Sequence, residues 1–430
     1  MTRPLAVGIA GLGTVGAGVV RLLRENASLI AMRAGRPIDV VAVSARDRAR
    51  DRGVSVAGLR WVDDPLSLAT DPSIDVVVEL IGGANGPARA LVEATLDAGK
   101  PVVTANKALI AEAGDALAAR MDGAGGNIRF EAAVGGGIPV IKALREGLAA
   151  NRIDNLAGIF NGTCNYILTR MRAEKLDFAS VLADAQAQGY AEADPSFDID
   201  GIDTAHKLAI LAAIAFGRQI DFGAVHVEGI RCVSALDIAF AEELGYRIKL
   251  LGIARATDAG IETRVHPAMV PLTSPLAAVD GVNNAVVIQG DPVGRIVLQG
   301  RGAGAGPTAS AVVADLIDLA RGRTTPMLGV ATKSLENLPS VPISSHRGAY
   351  FLRLMVVDLP GVIADVTAVL RDHGVSLESM LQHGRSPGEA VPVVLVTHET
   401  HEAAMAAAIG RLAALESVQE PPAMIRIETA

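Results

Sequence analysis

The stretch that decides the fold is LAVGIAGLGTVGAGVVRLLRE, residues 5–25. A short apolar run at 5–10 stops at glycine, and residues 15–24 then have helical spacing. Between them, Gly11, Gly13 and Gly16 form G-x-G-x-x-G. The glycines allow a tight turn and close approach to a pyrophosphate, and the helix N-terminus offers N–H groups. The motif predicts dinucleotide binding; a purely structural glycine-rich turn is the alternative.

Further strands and helices alternate beyond this motif. Continuous β-branched runs that alternate with helices predict a parallel sheet covered on both faces, a Rossmann-type α/β fold. The predicted strands are residues 38–44, 74–81, 101–104 and 128–134. From 140 to 300 the order is less regular and predicts an α+β substrate domain, with strands at 153–160, 246–254, 262–269 and 285–289. From residue 350 a βαββα pattern follows, with a further strand at 424–428.

These patterns predict three units. The dinucleotide-binding domain spans 1–133, and residues 305–325 return to it. An α+β unit spans 134–304, a linker spans 326–348, and a small third unit spans 349–430. The resemblance given below implies that the second unit is a catalytic and dimerisation domain and that the third is a regulatory domain.

Composition excludes several classes of protein. The 430 residues carry a net charge of −8 and no long basic stripe, which argues against nucleic-acid binding. The most apolar helix candidate, residues 208–216, is far shorter than the ~20 residues that cross a bilayer. The N-terminus does not resemble a signal peptide, and two cysteines make no disulfide framework. We expect a cytoplasmic protein.

The end of the second predicted strand bears on cofactor choice. An acid there would favour NAD, but the chain has Ser44, Ala45 and Arg46. Arg46 or Arg48 could instead meet the 2′-phosphate of NADP, and solvated surface arginines are the alternative. The residues favour NADP without excluding NAD.

A dense acidic loop, GYAEADPSFDIDG at 189–201, leads into an apolar helix that carries Asp203, His206 and Lys207. Asp203 and Lys207 are four residues apart and share a helix face. Charges beside an apolar surface suggest a chemical site. From spacing alone, an exposed ion pair is the better interpretation. Calcium binding by the loop is another alternative, although the EF-hand pattern is incomplete.

Several long motifs make the chain resemble monofunctional bacterial homoserine dehydrogenases over its whole length. They occur in the family's order: GLGTVG at 11–16, ELIGG at 79–83, TANKALIA at 104–111, FEAAVGGGIPVI at 130–141, NGTCNYIL at 161–168, the block 189–211, and GAGAGPTASAV at 302–312. DLPGVIA at 358–364 and HGVSL at 373–377 resemble an ACT domain, a ferredoxin-like module that often binds amino acids.

The resemblance implies a reaction and residues for it. L-homoserine and NAD(P)+ would interconvert with L-aspartate 4-semialdehyde and NAD(P)H, in threonine and methionine biosynthesis. Lys207 would be the general acid/base, with Lys107 beside the nicotinamide as the rival proton donor. Glu192 and Asp203 would hold the ammonium group of the substrate. Beside Gly11, Gly13, Gly16 and Arg46, the cofactor site would include Thr14, Val15, Thr104, Lys107, Gly189 and Gly306.

The resemblance also implies a monovalent cation, sodium in the family. It would sit on Glu131, Val134, Gly136 and Ile138, mostly through main-chain oxygens. The alternative is that the three glycines at 135–137 are only a hinge.

The C-terminal unit carries the implied regulation. L-threonine would be the effector, and the alternative is a module that only dimerises; the chain would form a homodimer or homotetramer. We expect deletion of 346–430 to abolish inhibition and leave chemistry intact.

Other functions stay open. Cys164 could be the thiolate of an acylating semialdehyde dehydrogenase, although a small packed residue is favoured. His206 points about 100° away from Lys207 around the helix, which favours packing over catalysis. Another Rossmann-type amino-acid dehydrogenase or a catalytically silent amino-acid sensor are the rival functions.

Overall fold

The computed structural model of the chain describes residues 3–124, 126–383, 386 and 388–429. Its first sheet has six parallel strands in the order β3-β2-β1-β4-β5-β6. The strands are β1 (Leu5–Ala10), β2 (Ile38–Ser44), β3 (Arg60–Trp61), β4 (Val76–Glu79), β5 (Val102–Thr104) and β6 (Ile128–Arg129). The helices are α1 (Thr14–Glu25), α2 (Ala27–Ala34), α3 (Ser67–Thr70), α4 (Pro87–Asp97) and α5 (Lys107–Ala124). This confirms the predicted Rossmann-type sheet.

The strand order reverses between β1 and β4, so a crevice opens beyond their carboxyl ends, where such sheets bind ligands. Two predicted strands are shorter than expected: the one at 74–81 is limited to Val76–Glu79, and the one at 128–134 was wrong over most of its length. The strand expected at 128–134 ends at Arg129, and Glu131–Ala133 forms a 3₁₀ turn. The N–H of Glu131 donates to Asp315 instead of a neighbouring strand.

A second, twelve-stranded sheet fills the rest of the molecule. Its central strands are β7 (Arg152–Ile159), β8 (His226–Val227), β9 (Tyr246–Thr257), β10 (Gly260–Pro271), β11 (Asn283–Asp291) and β12 (Gly294–Arg301). The accompanying helices are α6 (Val140–Lys142, continued by a π-helical turn at Ala143–Gly147), α7 (Gly162–Glu174), α8 (Phe178–Ala187), α9 (Ser196–Ile199), α10 (Ile202–Phe216), α11 (Ala235–Glu243) and α12 (Ala305–Ala320).

Helix α10 lies at the centre of this part. Nearly all of its side chains are buried, as expected for a helix that is apolar on every face. It packs against α5 of the first unit and against β7 and β9. Helix α12 returns to pack against α1. These contacts bring α5 and α10 together beside the crevice.

Strand β13 (Ser340–Val341) lies in the predicted linker and pairs with β10. The C-terminal unit contributes β14 (Arg347–Val357), α13 (Val362–Asp372), β15 (Leu377–Gln382), β16 (Ala390–Thr397), β17 (Thr400–His401), α14 (Glu402–Leu412) and β18 (Ala423–Ile427). Its four main strands run in the order β18-β14-β16-β15. Helices α13 and α14 share a core with β14 and β16, which confirms the predicted ferredoxin-like arrangement.

The sequence did not indicate how this unit is attached. Strand β18 pairs with β14 and also, in parallel, with β10, so one sheet runs through both units. Phe351, Val394 and Ile425 belong to the central hydrophobic core. Within the described part of the chain, no helix is long and apolar enough to span a membrane.

Candidate active site

The glycine-rich loop between β1 and α1 forms an open cradle. Gly11 has φ +100°, and a Cβ there would lie 2.4 Å from the carbonyl oxygen of Leu80. A Cβ on Gly13, by contrast, would meet nothing within 4 Å. Gly13 caps α1 without a side-chain hydrogen bond. The first N–H groups of α1 are therefore accessible to a phosphate, which fits the predicted pyrophosphate position.

A cavity of about 250 Å³ lies beside this cradle. Gly13 and Thr14 line it, together with Arg21, Arg50 and Arg52. Arg52 donates to the carbonyl of Leu12 and its guanidinium lies 5.4 Å from the ring centre of Trp61. Arg46 is exposed just beyond β2 and is not among the described residues that line this cavity.

The other residues predicted to bind the cofactor lie outside the described lining of this cavity. Val15 is half-buried in α1 and packs against the first core. Thr104 is fully buried at the end of β5, where its hydroxyl donates to Glu79. Gly306 lies in the first turn of α12.

A second cavity, of about 460 Å³, lies where α5, α10 and the ends of β7 and β11 meet. Its lining includes Lys107, Phe160, Asn161, Thr163, Gly189, Asp198, Asp203, Lys207, Asn284 and Gly304. Gly304 precedes Ala305, which lines the first cavity. A dinucleotide that crosses the N-terminus of α12 could therefore occupy both.

Asp203 lies between two lysines. Its Oδ1 is 2.9 Å from Lys107 Nζ, and its Oδ2 accepts hydrogen bonds from Lys207 Nζ at 2.7 Å and Asn161 Nδ2 at 2.8 Å. Burial would raise the pKa of Asp203, but the two ammonium groups outweigh it and hold the pKa well below its usual range. The ion pair expected from i,i+4 spacing is present, yet it is buried rather than exposed.

Lys207 donates to Asp203 and also to the carbonyl oxygen of Phe160, at 2.7 Å. An ammonium group has three N–H donors, so one remains beyond these two contacts. Burial lowers the pKa of Lys207, and the charge of Lys107 lowers it further, against the opposing effect of Asp203. A lysine whose pKa is lowered in this way gives up its proton more readily than a solvated lysine, which suits proton transfer.

Asp198 lies in the same cavity and was not singled out from the sequence. Its carboxylate accepts hydrogen bonds from Asn161 Nδ2 at 2.8 Å and Thr163 Oγ1 at 2.9 Å. It belongs to the acidic loop, but spacing cannot show which of the loop's carboxylates turns inward. Glu192 is exposed and is not among the described residues that line the cavity.

Cys164 and His206 are both packed into the interior. Cys164 is fully buried, its thiol donates to the Asp198 carbonyl at 3.2 Å, and burial raises its pKa well above the usual value. A thiolate nucleophile is disfavoured there. His206 lies between Phe197 and Phe222, with ring centres 5.6 and 4.3 Å away. Both observations favour the packing interpretations.

The four residues predicted to bind a cation lie together in a buried turn. Both carboxylate oxygens of Glu131 accept N–H groups, from Ile141 and Lys142. Burial, followed by the nearby charge of Asp315, raises the pKa of Glu131 to about 7. Throughout the described ranges, no cluster of three or more His, Cys, Asp or Glu could hold a metal ion. Any cation here would depend on main-chain oxygens.

Comparisons with known proteins agree along the chain. Family models described as homoserine dehydrogenase, its NAD-binding domain and the ACT domain match residues 139–317, 11–131 and 350–416. Homoserine dehydrogenases of Pseudomonas aeruginosa and Neisseria gonorrhoeae are 48% and 46% identical, over 99% of this chain and 99% of each relative.

Solved structures agree as well. The crystal structure of a homoserine dehydrogenase from Thiobacillus denitrificans has a TM-score of 0.94 at 48% identity, covering 99% of both chains. A hyperthermophilic archaeal homoserine dehydrogenase in complex with NADPH has a TM-score of 0.63 at 26% identity, covering 78% of this chain and 100% of that one.

The chain therefore belongs to the homoserine dehydrogenase family. It is an NAD(P)-dependent oxidoreductase that interconverts L-homoserine and L-aspartate 4-semialdehyde, a step of threonine and methionine biosynthesis. The rival functions weighed from the sequence give way to this one.

Proposed function

We propose that Lys207 moves the proton in the homoserine dehydrogenase reaction and that Asp203 positions it. The observation that carries this assignment is the double contact of Lys207 Nζ with Asp203 Oδ2 and the Phe160 carbonyl, inside the larger cavity. When bound, the dinucleotide supplies or accepts the hydride. The protein must then deliver a proton to the oxygen that becomes the hydroxyl of homoserine, or remove it in the reverse direction.

The two contacts of Lys207 Nζ support a particular side for proton transfer. A neutral lysine amine has two N–H groups and one lone pair. If Asp203 and Phe160 accept the two N–H groups, the lone pair, or the third proton of the ammonium form, lies on the remaining side of Nζ. We infer that the substrate oxygen binds on that side.

Lys107 has a different place in this proposal. It contacts Asp203 through the other carboxylate oxygen, and its side chain is 33% exposed, against 11% for Lys207. Lys107 can therefore bind substrate or cofactor while its charge helps to lower the pKa of Lys207. It remains the rival proton donor.

Asp198 is proposed to hold the substrate ammonium group. Both oxygens of Asp203 already contact lysines, which leaves little capacity for a third cation. The side-chain partners recorded for Asp198 are neutral. Glu192, in the largely exposed first half of the same acidic loop, would join Asp198 if that half closes over the cavity.

The cofactor would lie along both cavities. Gly11, Gly13, Thr14 and Gly16 would hold the pyrophosphate, with Gly306 in the facing helix end. Arg50 and Arg52, with Arg46 nearby, would favour the 2′-phosphate of NADP. Comparing Kd for NADPH and NADH by fluorescence titration tests this preference; equal values would contradict it.

A sodium ion is proposed beside Glu131, with main-chain oxygens of Val134, Gly136 and Ile138. The residues fit it, since a buried carboxylate with a raised pKa is stabilised in its charged form by a nearby cation. Its contribution would be structural. Sodium should raise the melting temperature relative to choline at equal ionic strength, and no difference would refute the site.

L-threonine is proposed as the effector of the ACT domain, in a homodimer or homotetramer located in the cytoplasm. Gly361, with φ +96°, begins α13 at the turn where a carboxylate could meet helix N–H groups. Threonine inhibition and light scattering would test the regulation and the assembly separately.

The decisive experiment compares Lys207→Ala with Lys107→Ala. We expect Lys207→Ala to bind NADPH normally and to lose about 10²–10⁴-fold in kcat, the usual contribution of a positioned acid/base. Lys107→Ala should chiefly raise the KM for homoserine. Near-normal kcat in Lys207→Ala would refute the assignment, and the reverse pattern would move it to Lys107.

A further inference from the structure

The carbonyl oxygen of Phe160 lies where β7 ends. Strand β7 stops at Ile159, whose partner across the sheet is Ala285 of β11. Beyond that pair, Phe160 O is hydrogen bonded by side chains: Lys207 Nζ at 2.7 Å and Asn284 Nδ2 at 2.9 Å. A carbonyl oxygen accepts two hydrogen bonds through its two lone pairs, so these two donors saturate it.

Asn284 is held rigidly in this position. It is 1% exposed and is the second residue of β11. The backbone of Gly302 packs directly on its amide, because a Cβ on Gly302 would lie 2.1 Å from Asn284 Nδ2. Since Phe160 O can only accept, the NH₂ side of the amide must face it. The opposite atom, Oδ1, is buried without a hydrogen-bond partner in the described structure.

A buried amide oxygen without a hydrogen-bond partner lowers the stability of the folded protein. The hydrogen bond from Asn284 Nδ2 to Phe160 O is therefore kept at the expense of stability. If only the stability of the fold mattered, an apolar side chain would be favoured at position 284. The amide lines the same cavity as Lys207 and Asp203.

We propose that Asn284 is a positioning residue: by clamping the Phe160 carbonyl, it sets the direction in which Lys207 presents its proton or lone pair to the substrate oxygen. This inference rests on the proposed role of Lys207. Without the clamp, the carbonyl can rotate, and one of the two acceptors that orient Lys207 is lost. Asn284 itself donates no proton to substrate and contacts Lys207 only through the shared carbonyl.

The charges around Lys207 determine what a substitution will do. Asp203 lies on its own helix, Lys107 on α5, and Asp198 on α9. Asn284→Asp would add a carboxylate from β11 with nearly unchanged volume. Because an opposite charge stabilises the ammonium form, the pKa of Lys207 should rise by about one unit or more. Homoserine oxidation needs the neutral amine, so the rise of kcat with pH should move to higher pH.

The experiment measures kcat and the KM for homoserine from pH 6 to 10 in wild type, Asn284→Ala and Asn284→Asp. Asn283→Ala is the matched control, since that amide donates to the Asp280 carbonyl in the preceding turn. We expect Asn284→Ala to lose at least about tenfold in kcat with KM changed less than about threefold. Asn284→Asp should shift the pH profile upward, and Asn283→Ala should match wild type.

Thermal melting and NADPH titration accompany each variant. Wild-type kcat and pH profile in both Asn284 variants, with Lys207→Ala inactive, would overturn this inference alone. Activity in Lys207→Ala would overturn the proposed function itself. If Asn284→Ala does not fold, the near-isosteric Asn284→Asp decides: its carboxylate cannot donate to the Phe160 carbonyl, so wild-type kcat together with an unshifted pH profile in that folded variant refutes the clamp.

Discussion

The two ends of the chain form α/β units that are attached to the centre in different ways. The nucleotide-binding unit has its own parallel sheet, which shares no strand with the central one. Its connection to the centre includes the apolar packing of α5 against α10, and α12 returns from the centre to pack against α1. The C-terminal unit has no separate sheet, because β18 pairs with both β10 and β14.

Buried charges add to this second attachment. The guanidinium of Arg426 hydrogen bonds to Glu402 on α14 and to both carboxylate oxygens of Glu228. Arg353 on β14 pairs with Asp237 of α11. The same carboxylate also takes part in the capping box at the N-terminus of α11. These contacts cross from the regulatory unit to the centre.

The attachment also comes close to the acidic loop at 189–201. The residue pair after Glu228 packs on that loop: the N–H of Ile230 donates to the carbonyl of Ile199, 2.8 Å away, and Ile199 follows Asp198. The two units therefore differ in how their sheets meet the catalytic part. The nucleotide-binding unit shares buried core with it, including Leu109 and Ile110 of α5, and the Lys107–Asp203 ion pair, but no strand. The C-terminal unit shares core and charges and also a strand pairing, that of β18 with β10.

The largest effect should come from ending the chain at residue 345. This removes β14 and β18 and leaves Asp237 and Arg264 buried without Arg353 and Glu428. Removing one partner of a buried ion pair lowers the unfolding free energy by about 3–5 kcal/mol. The truncation also exposes apolar side chains of the core, which lowers it further. We expect no cooperative melting transition by circular dichroism. The structure thus argues against the expectation that deletion of 346–430 would spare chemistry. A truncated protein that melts cooperatively and keeps wild-type kcat would show that the central part folds without the C-terminal unit.

Arg426→Met tests the charged attachment alone. The substitution leaves Glu228 and Glu402 facing each other without their shared cation, and Glu402 is 6% exposed. We expect a loss of about 3–5 kcal/mol in unfolding free energy by urea denaturation. Arg411→Met, on the exposed face of α14, the helix that carries Glu402, is the control and should change stability by less than about 0.5 kcal/mol. Equal effects of the two substitutions would show that the buried network contributes little.

Acid should loosen the C-terminal attachment before the nucleotide-binding sheet. Hydrogen bonds from His226 and Arg426 outweigh burial and hold the pKa of Glu228 well below its usual range. Its stabilising contribution is therefore complete above the unfolded pKa, near 4.3, and is lost as pH falls toward the folded pKa. Below about pH 4, amides of β14 and β18 should lose protection from hydrogen exchange relative to those of β1 and β4. Glu228→Gln should remove this pH dependence, and loss of protection in both sheets together would contradict it.

The smallest effect is expected at the nucleotide-binding end, from Arg52→Ala. Arg52 bonds the Leu12 carbonyl and stacks on Trp61, which is the single tryptophan of the chain. A surface cation–π contact is worth about 0.5–1 kcal/mol, so global stability should change by no more than that. The emission of Trp61 should change, and NADPH should bind more weakly. A loss of more than about 2 kcal/mol in unfolding free energy would mean that the loop around Arg52 also stabilises the protein beyond the nucleotide-binding unit.

Local pattern was sufficient for much of the fold. The strands Leu5–Ala10 and Ile38–Ser44 follow from apolar runs that end at turn residues, and the glycine fingerprint placed the cofactor crevice. Strand β12 was missed, since its residues alternate between half-buried and exposed positions and its apolar side chains are few. The 3₁₀ turn at Glu131 was missed because its cause is a distant partner, Asp315.

For the site, the acidic loop and the helix that carries Asp203 and Lys207 were found from the sequence. Their burial was not, because an i,i+4 pair has the same spacing on a surface as in a core. Asp198 and Asn284 could not be singled out, since each is defined by residues far away in the chain: Thr163 for Asp198, and Phe160 for Asn284.

By itself, the sequence determined the nucleotide-binding fold, the family and the residues from which the chemistry is drawn, because these depend on local spacing and on long contiguous motifs. Only the tertiary structure decided that Lys107 and Lys207 share one carboxylate, that Asn284 and Lys207 share one carbonyl, and that the C-terminal unit extends the central sheet. The physical reason is that burial and hydrogen-bond partners are properties of several chain segments meeting, and no single segment encodes its distant partner.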